Sequence, residues 1–454
     1  MAATRRIDMT NGSIIRKTMV FALPIVLGNI LQQLYSTVDT LVVGNYCGAA
    51  SLAAVGTSSQ PIEIFLCLFM GMGTGVSILV SQYTGSGDGA HRRLVVQNAV
   101  VFLYLCAIPL TVAGLLGGPL LLRMMQVPPE AWDHAVSYVR ILFLGTLGNI
   151  GYNINAGILR GVGDSRSTLL FLLISCVVNI VLDLAFVVWL GMDVAGVAIA
   201  TAVAMFVSWI SSVIYIRRKF PELGYELFPR RADRAVLKEI VHIGFPLGLN
   251  SSIYSVGHLV LQILINCEGM VCAAACSVGG RINSLANVAI QAISSAATAF
   301  SGQNLGARRY DRLVRGAWLL PLFNGLLTFI AGMTVTIFAV PLLRFFNDDP
   351  AVLAMAARYV RVILPFLWTY AVFNCIIAFV NGMGLLRYST RVNVIILWVV
   401  RIPLAVIISL FLDGTWVMTA IPVSFVVGMV LMLLFFRSRR WRETRELARH
   451  MEAA

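Results

Sequence analysis

IRKTMVFALPIVLGNILQQLYSTVDTLVVG, residues 15–44, decides the fold. Beyond Arg16 and Lys17 the stretch carries one acid, Asp39, and no further base. A helix needs about 20 apolar residues to cross the hydrocarbon layer, and this stretch supplies them. Runs of the same kind lie near 16–44, 51–80, 94–118, 132–159, 167–190 and 194–216. After a charged linker they resume near 239–265, 271–302, 313–341, 351–380, 391–411 and 415–436. The polar segment before the first run, Met1 to Arg16, is short and the run itself is long. That pattern predicts a first membrane helix rather than a cleaved signal peptide.

Composition agrees with twelve spans. Of 454 residues, 59% are hydrophobic and only 12% charged, where soluble domains carry roughly a quarter charged residues. No single core could bury that much apolar surface, so lipid must be the solvent. With no water to satisfy the backbone there, the spans are expected to be helices. The net charge of +13 is not a nucleic-acid signature, because the basic residues cluster between apolar runs. Taking the N-terminus, the links after even-numbered runs and the tail together, 27 of the 34 Lys and Arg fall on one side. The rule that positive loops stay inside makes that side cytoplasmic, both termini included.

The chain repeats itself. IRKTMVFALPIVLGN (15–29) resembles LKEIVHIGFPLGLNS (237–251), with Pro24 opposite Pro246. SQYTGSGDGAHRRLV (81–95) resembles SGQNLGARRYDRLV (301–314), and RGVGDSRST (160–168) resembles NGMGLLRYST (381–390). The offset stays near 221 residues, about six spans, so the halves share one orientation and are related by an axis along the membrane normal. The predicted organisation is an N-lobe over 1–216, a cytoplasmic linker over 217–238, a C-lobe over 239–436 and a basic tail over 437–454.

Much chemistry is excluded. No GxxxxGK[ST] occurs, and GMGTG (71–75) lies inside an apolar run, where small residues read as close helix packing. The five histidines form no metal pattern, and the eight cysteines include no CxxC. No GxSxG elbow is present. An enzyme is not expected, nor a cofactor, and any work must draw on an ion gradient.

What remains are ionisable groups that lipid penalises. Asp39, Glu63 and Asp183 are the acids well inside the runs. Helical rise puts Asp39 and Asp183 at similar depth in the outer half. Asn179 lies one turn before Asp183 on the same face, and Thr201 reaches the same level. Gln32, Tyr35, Ser36 and Asp39 form one stripe. Two carboxylates, an amide and a hydroxyl could share protons or offer oxygens to Na⁺; the structural alternative, each aspartate satisfied by neighbours and joining helices, is disfavoured because intramembrane ionisable residues are functional by default. Glu63 follows Pro61, and a kink role is as plausible as a cavity role. His258 and Gln262 on the seventh run, Arg281 on the eighth, Asn374 on the tenth and Arg401 on the eleventh are cavity candidates, with structural ion pairing favoured for the two arginines. Leu261 stands opposite Asp39, so the second half lacks this carboxylate.

These residues, with FALPIVLGNILQQLYSTVDTLVVG (21–44), SQYTGSGDG (81–89), LRGVGDSRST (159–168), NIVLDLAFV (179–187) and GFPLGLN (244–250), resemble the bacterial MATE (multidrug and toxic compound extrusion) transporters over essentially the whole chain. The N-lobe residues resemble the DinF-like and MepA-like members. The resemblance implies two six-helix lobes forming a V, and export of amphipathic, often cationic compounds in exchange for H⁺ or Na⁺. It carries cation coupling, including a possible Na⁺ site, onto Asp39, Asn179, Asp183 and Thr201, with hinges at Pro24 and Pro246. C-lobe acids used by NorM-like members have no match here. The expected partners are small molecules and the lipid bilayer of the cell membrane, without nucleic acid, around a monomer. A lipid or lipid-linked oligosaccharide flippase of the same superfamily is the rival, disfavoured because only Arg281 and Arg401 lie deep in the spans. A receptor or channel is a third reading, against which the duplicated layout weighs.

Overall fold

The computed structural model describes residues 6–124, 127, 129–229, 232–267, 270–344, 349–411 and 414–453, with the side chains of some helical residues, 59–65 among them, outside that description. Seventeen α-helices occur among the described residues, and no strand. In the first half these are α1 (Ile14–Val42), α2 (Gly48–Gly85), α3 (Gly89–Met124), α4 (Trp132–Leu144), α5 (Thr146–Val162), α6 (Ser165–Asp183) and α7 (Asp193–Lys219). The second half holds α8 (Arg234–Cys267), α9 (Met270–Gly306), α10 (Tyr310–Ile337), α11 (Ala339–Arg344), α12 (Pro350–Ile363), α13 (Leu367–Gly382), α14 (Leu386–Val394), α15 (Ile402–Phe411), α16 (Ala420–Leu434) and α17 (Arg439–Ala453).

The twelve predicted runs are helical, and among the described residues ten continuous helical stretches, some joining two labelled helices, are long and apolar enough to cross a membrane. The other two runs fall short for separate reasons. The fourth is divided at Gly145 into α4 and α5, each too short alone. The eighth, α9, is long but studded with Arg281, Asn283, Asn287, Gln291, Gln303 and Asn304. The fourth run of the second half is interrupted at the equivalent level, by a 3-10 turn over Leu364–Phe366.

Contacts divide the chain into two units, Met1–Ile7 with Pro24–Leu249, and Asp8–Leu23 with Asn250–Ala454. Within the first unit the glycines of GMGTG set helix spacing, as expected. Gly71 and Gly75, one turn apart, face Gly244 and Gly248 of α8; a Cβ on Gly75 would lie 2.6 Å from the Gly244 Cα, and one on Gly71 would collide with Gly248 backbone. Gly73 points the other way, and its Cβ would lie 2.8 Å from the Asn153 carbonyl on α5. Backbones this close gain dispersion contacts that longer side chains would forbid.

The VGDSR turn has a local physical reason. Gly163 ends α5 with φ +94°, a left-handed conformation that glycine adopts without a Cβ clash. Asp164, fully buried, then caps α6 by accepting from the Ser167 N–H at 3.1 Å and the Ser167 hydroxyl at 2.7 Å. The Tyr215 hydroxyl donates to the same carboxylate at 3.0 Å, which ties α7 to this corner. In the second unit, Gln303 and Asn304 hold Met9: the Met9 N–H donates to Gln303 Oε1 at 2.9 Å, and the Asn304 amide donates to the Met9 carbonyl at 3.1 Å.

Three spans contain π-helical segments, Val43–Cys47, Leu184–Trp189 and Ile395–Arg401. Each adjoins an ionisable residue that lipid would reject: Asp39 one turn earlier, Asp183 immediately before, and Arg401 at the segment's own end. Such widened turns recur at functional sites.

Candidate functional site

Asp39 sits in the last turn of α1, Asn179 and Asp183 in the last turns of α6, and Thr201 in the third turn of α7. All belong to the first unit, and the structure brings them together. The Thr201 hydroxyl donates to Asp39 Oδ2 at 3.5 Å, and Asn179 Nδ2 donates to Thr201 Oγ1 at 3.4 Å. Asp183 and Asn179 are buried at 0% and 2% exposure. The remaining oxygens are short of donors. Asp39 Oδ1, Asn179 Oδ1 and both oxygens of Asp183 are shielded from solvent and accept no hydrogen bond from the described residues. The two carboxyl groups lie close enough to pair with each other, but two ionised carboxylates have no proton between them to donate.

Among the described residues, the cluster therefore holds more acceptors than donors. A proton shared between Asp39 and Asp183 would convert repulsion into a hydrogen bond. The available oxygens, two carboxylates, an amide and a hydroxyl, are also the hard ligands that Na⁺ favours. Among the described residues, no group of three or more His, Cys, Asp or Glu side chains is arranged to hold a metal ion.

Other candidates fall in different places. Tyr35 adjoins Gln32 and Asp39; Gln32 and Ser36 are exposed, two turns and one turn before Asp39 along the stripe. Glu63 lies in α2, but its side chain is outside the described residues. Pro24 lies within the unbroken α1, at the residue where α1 passes from one contact unit to the other, and Pro246 lies within α8 three residues before its own crossing. Asn374 donates to the Tyr370 hydroxyl at 3.3 Å, as does Gln291. His258 lies beside Tyr254, their ring centres 6.0 Å apart and the planes tilted by 53°, and Gln262 lies one turn further along α8, exposed. Arg281 is exposed.

The ion pairing expected for the arginines is not found among the described residues. Arg401, 2% exposed, bonds neutral groups instead: Nε donates to Ser424 Oγ at 2.8 Å and Nη1 to the Tyr254 hydroxyl at 3.3 Å. The reason lies in composition, since Glu239 in the second turn of α8 is the one acid on α8, α13, α15 or α16.

Two features escaped the sequence reading. Tyr138 on α4 neighbours Asp39, Asp183 and Tyr35. One turn further out on the same helix, His134 pairs with Asp193 at 3.1 Å, and Ser51 donates to Asp193 at 3.0 Å. Asp193 adopts φ +52°, a conformation uncommon for any residue but glycine. The i, i+4 spacing of His134 and Tyr138 was a faint signal, but nothing in it reveals which helices α4 faces.

A multi-pass helical membrane protein made of two repeated halves, with an acidic pocket buried in the first, is the class that these observations define. The MatE family model matches residues 24–185 and 246–407, and the chain belongs to that family, one of transporters rather than enzymes. The two matched stretches are the two halves of the internal repeat. The chain is 27% identical to the "Probable multidrug resistance protein YpnP" of Bacillus subtilis (strain 168), covering 96% of this chain and 97% of that one. It is 24% identical to the "FAD transporter" of Shewanella oneidensis over 90% of this chain and 91% of that protein. The fold is similar to a solved "Outward-facing conformation of a multidrug resistance MATE family transporter of the MOP superfamily", with TM-score 0.88, 23% identity, and 99% and 100% of the two chains covered.

Proposed function

We propose that the chain is a secondary active exporter of amphipathic, often cationic compounds, exchanging them for H⁺ or Na⁺ by alternating access. Asp39, Asn179, Asp183 and Thr201 are its cation-coupling residues. One observation carries the reading: both carboxylate oxygens of Asp183 are buried beside Asp39 without a donor. An unpaired buried charge costs several kcal/mol, so the pocket's geometry must respond to cation occupancy. Relatives named for multidrug resistance support the substrate class.

Occupied by H⁺ or Na⁺, the pocket draws the ends of α1, α6 and α7 together; emptied, its carboxylates repel. The adjoining π-helical segments Val43–Cys47 and Leu184–Trp189 give those ends a register that can reset. Bending of α1 near Pro24 and of α8 near Pro246, where the proline ring removes a backbone hydrogen bond, transmits the change. The basic loops orient the chain in the cell membrane with both termini cytoplasmic, the segment 217–238 linking lobes over 1–216 and 239–436.

The test is efflux of a fluorescent cation from proteoliposomes with H⁺ and Na⁺ gradients imposed separately. One gradient should drive efflux in the wild type and fail to drive it in Asp39→Asn and Asp183→Asn. Unimpaired gradient-driven efflux in either folded variant would remove the assignment.

A further inference from the structure

Among the described residues of the second unit, no opposite charge pairs with Arg401. Arg401 ends the π-helical segment Ile395–Arg401, and its guanidinium is almost wholly buried. A guanidinium has five N–H donors. Here Nε and Nη1 reach only two neutral hydroxyls, those of Ser424 and Tyr254, and Nη2 makes no hydrogen bond to the described residues. The other walls are aromatic: the Phe425 ring centre lies 5.1 Å from the guanidinium carbon and that of Tyr254 lies 5.8 Å away. His258, Tyr359 and Tyr370 complete the surroundings from α8, α12 and α13. Ring faces attract a cation but do not neutralise it, and no carboxylate from the described residues does so.

Position in the repeat sharpens the point. At the 222-residue offset between the two matched stretches, Arg401 stands where the first half has Asn179, and Tyr359 stands within one residue of Tyr138's counterpart. The same corner of the bundle therefore holds two acids in one half and an unpaired base in the other.

We infer that the pocket around Arg401 is an anion-binding site. It takes a singly charged anionic group, held by the guanidinium fork with the hydroxyls of Tyr254 and Ser424 turned to donate. Each hydroxyl carries a donor as well as acceptor lone pairs; that of Ser424 now donates to the Ile421 carbonyl at 2.6 Å and turns to the anion by exchanging that acceptor. Two sources share this chemistry: a free halide, or the carboxylate of an aromatic compound stacked on Phe425 and Tyr254. The inference does not depend on the coupling role of Asp39 and Asp183, and its test does not use transport.

The experiment follows thermal unfolding of the purified full-length protein, with potassium chloride or potassium benzoate replacing potassium gluconate at constant ionic strength. At least one of the two anions should raise the wild-type Tm by several degrees in a saturable manner, and Arg401→Gln should lose that rise. Chloride alone acting identifies a halide site; benzoate acting at lower concentration identifies a carboxylate site. Tyr254→Phe and Ser424→Ala, milder changes, should move the half-saturating concentration upward severalfold, which keeps the test decisive if Arg401→Gln does not fold. No rise with either anion, an equal rise in Arg401→Gln, or an unmoved half-saturation point in both milder variants overturns the inference.

Discussion

Thr201 Oγ1 on α7 lies 3.5 Å from Asp39 Oδ2 on α1, a contact spanning 162 residues of sequence. It is long for an O–H···O bond, which is usually nearer 2.7–2.8 Å. The hydroxyl therefore holds the carboxylate in place without neutralising it, and Asn179, donating to the same hydroxyl at 3.4 Å, orients it in turn.

Removal of that tether should loosen the pocket without emptying it. Thr201→Val keeps the side-chain shape and deletes the oxygen. Partners that orient a ligand cost about 10-fold or more in ion affinity when removed, so the ion concentration for half-maximal efflux should rise by about that factor. The readout is efflux rate against pH and against Na⁺ concentration; an unmoved midpoint on both axes would contradict the role.

Asp183→Asn should separate stability from activity. The wild-type carboxylate is buried without a donor, and an amide of the same shape removes the desolvation penalty of several kcal/mol that its ionised form carries. The variant is expected to melt no lower than the wild type, and higher at alkaline pH, while gradient-driven efflux falls at least about 10-fold, the factor for one unit of pKa or 1.4 kcal/mol. Unfolding followed by tryptophan fluorescence, beside proteoliposome efflux, checks both halves of the statement.

Asp164→Ala tests the corner that follows the fourth span. Loss of an N-cap costs about 0.5–2 kcal/mol, and the hydroxyls of buried Ser167 and half-buried Tyr215 would each lose an acceptor. The expected result is a Tm several degrees lower with the cation dependence of efflux unchanged, because the residue acts on α6 and α7 packing and not on the pocket oxygens.

Gly248→Leu should be damaging, because Gly248 is buried where α8 meets α2. A Cβ there collides with the Leu68 carbonyl of α2, so α2 and α8 must part. Overpacking of a close contact costs about 1–3 kcal/mol, and a lower Tm with loss of efflux is expected; Gly117→Leu, whose Cβ meets nothing within 4 Å, is the control that should retain both.

The helices, their duplication and the first pocket were readable from the chain because lipid makes the rules severe. An aspartate in an apolar run stands out wherever it occurs, and helical rise alone put Asp39 and Asp183 at one depth. Small residues inside an apolar run likewise signalled close helix packing, without saying which helix α2 would meet. What could not be read were relationships between elements. Nothing in the spacing of His134 and Tyr138 shows that α4 turns them toward Asp193 and Asp39, and no periodicity marks the division at Gly145. The arginines misled for a related reason: cost in lipid implies a partner, but the sequence does not say whether that partner is an acid or, as for Arg401, a pair of hydroxyls and two rings.

Equilibrium cation uptake by the purified protein measures the central claim most directly. Proton binding by back-titration and Na⁺ binding by radioisotope are compared between the wild type and the Asp39→Asn, Asp183→Asn double variant. Wild-type protein should take up an H⁺ or Na⁺ that the double variant does not. Equal uptake of both ions by the two proteins would contradict the account.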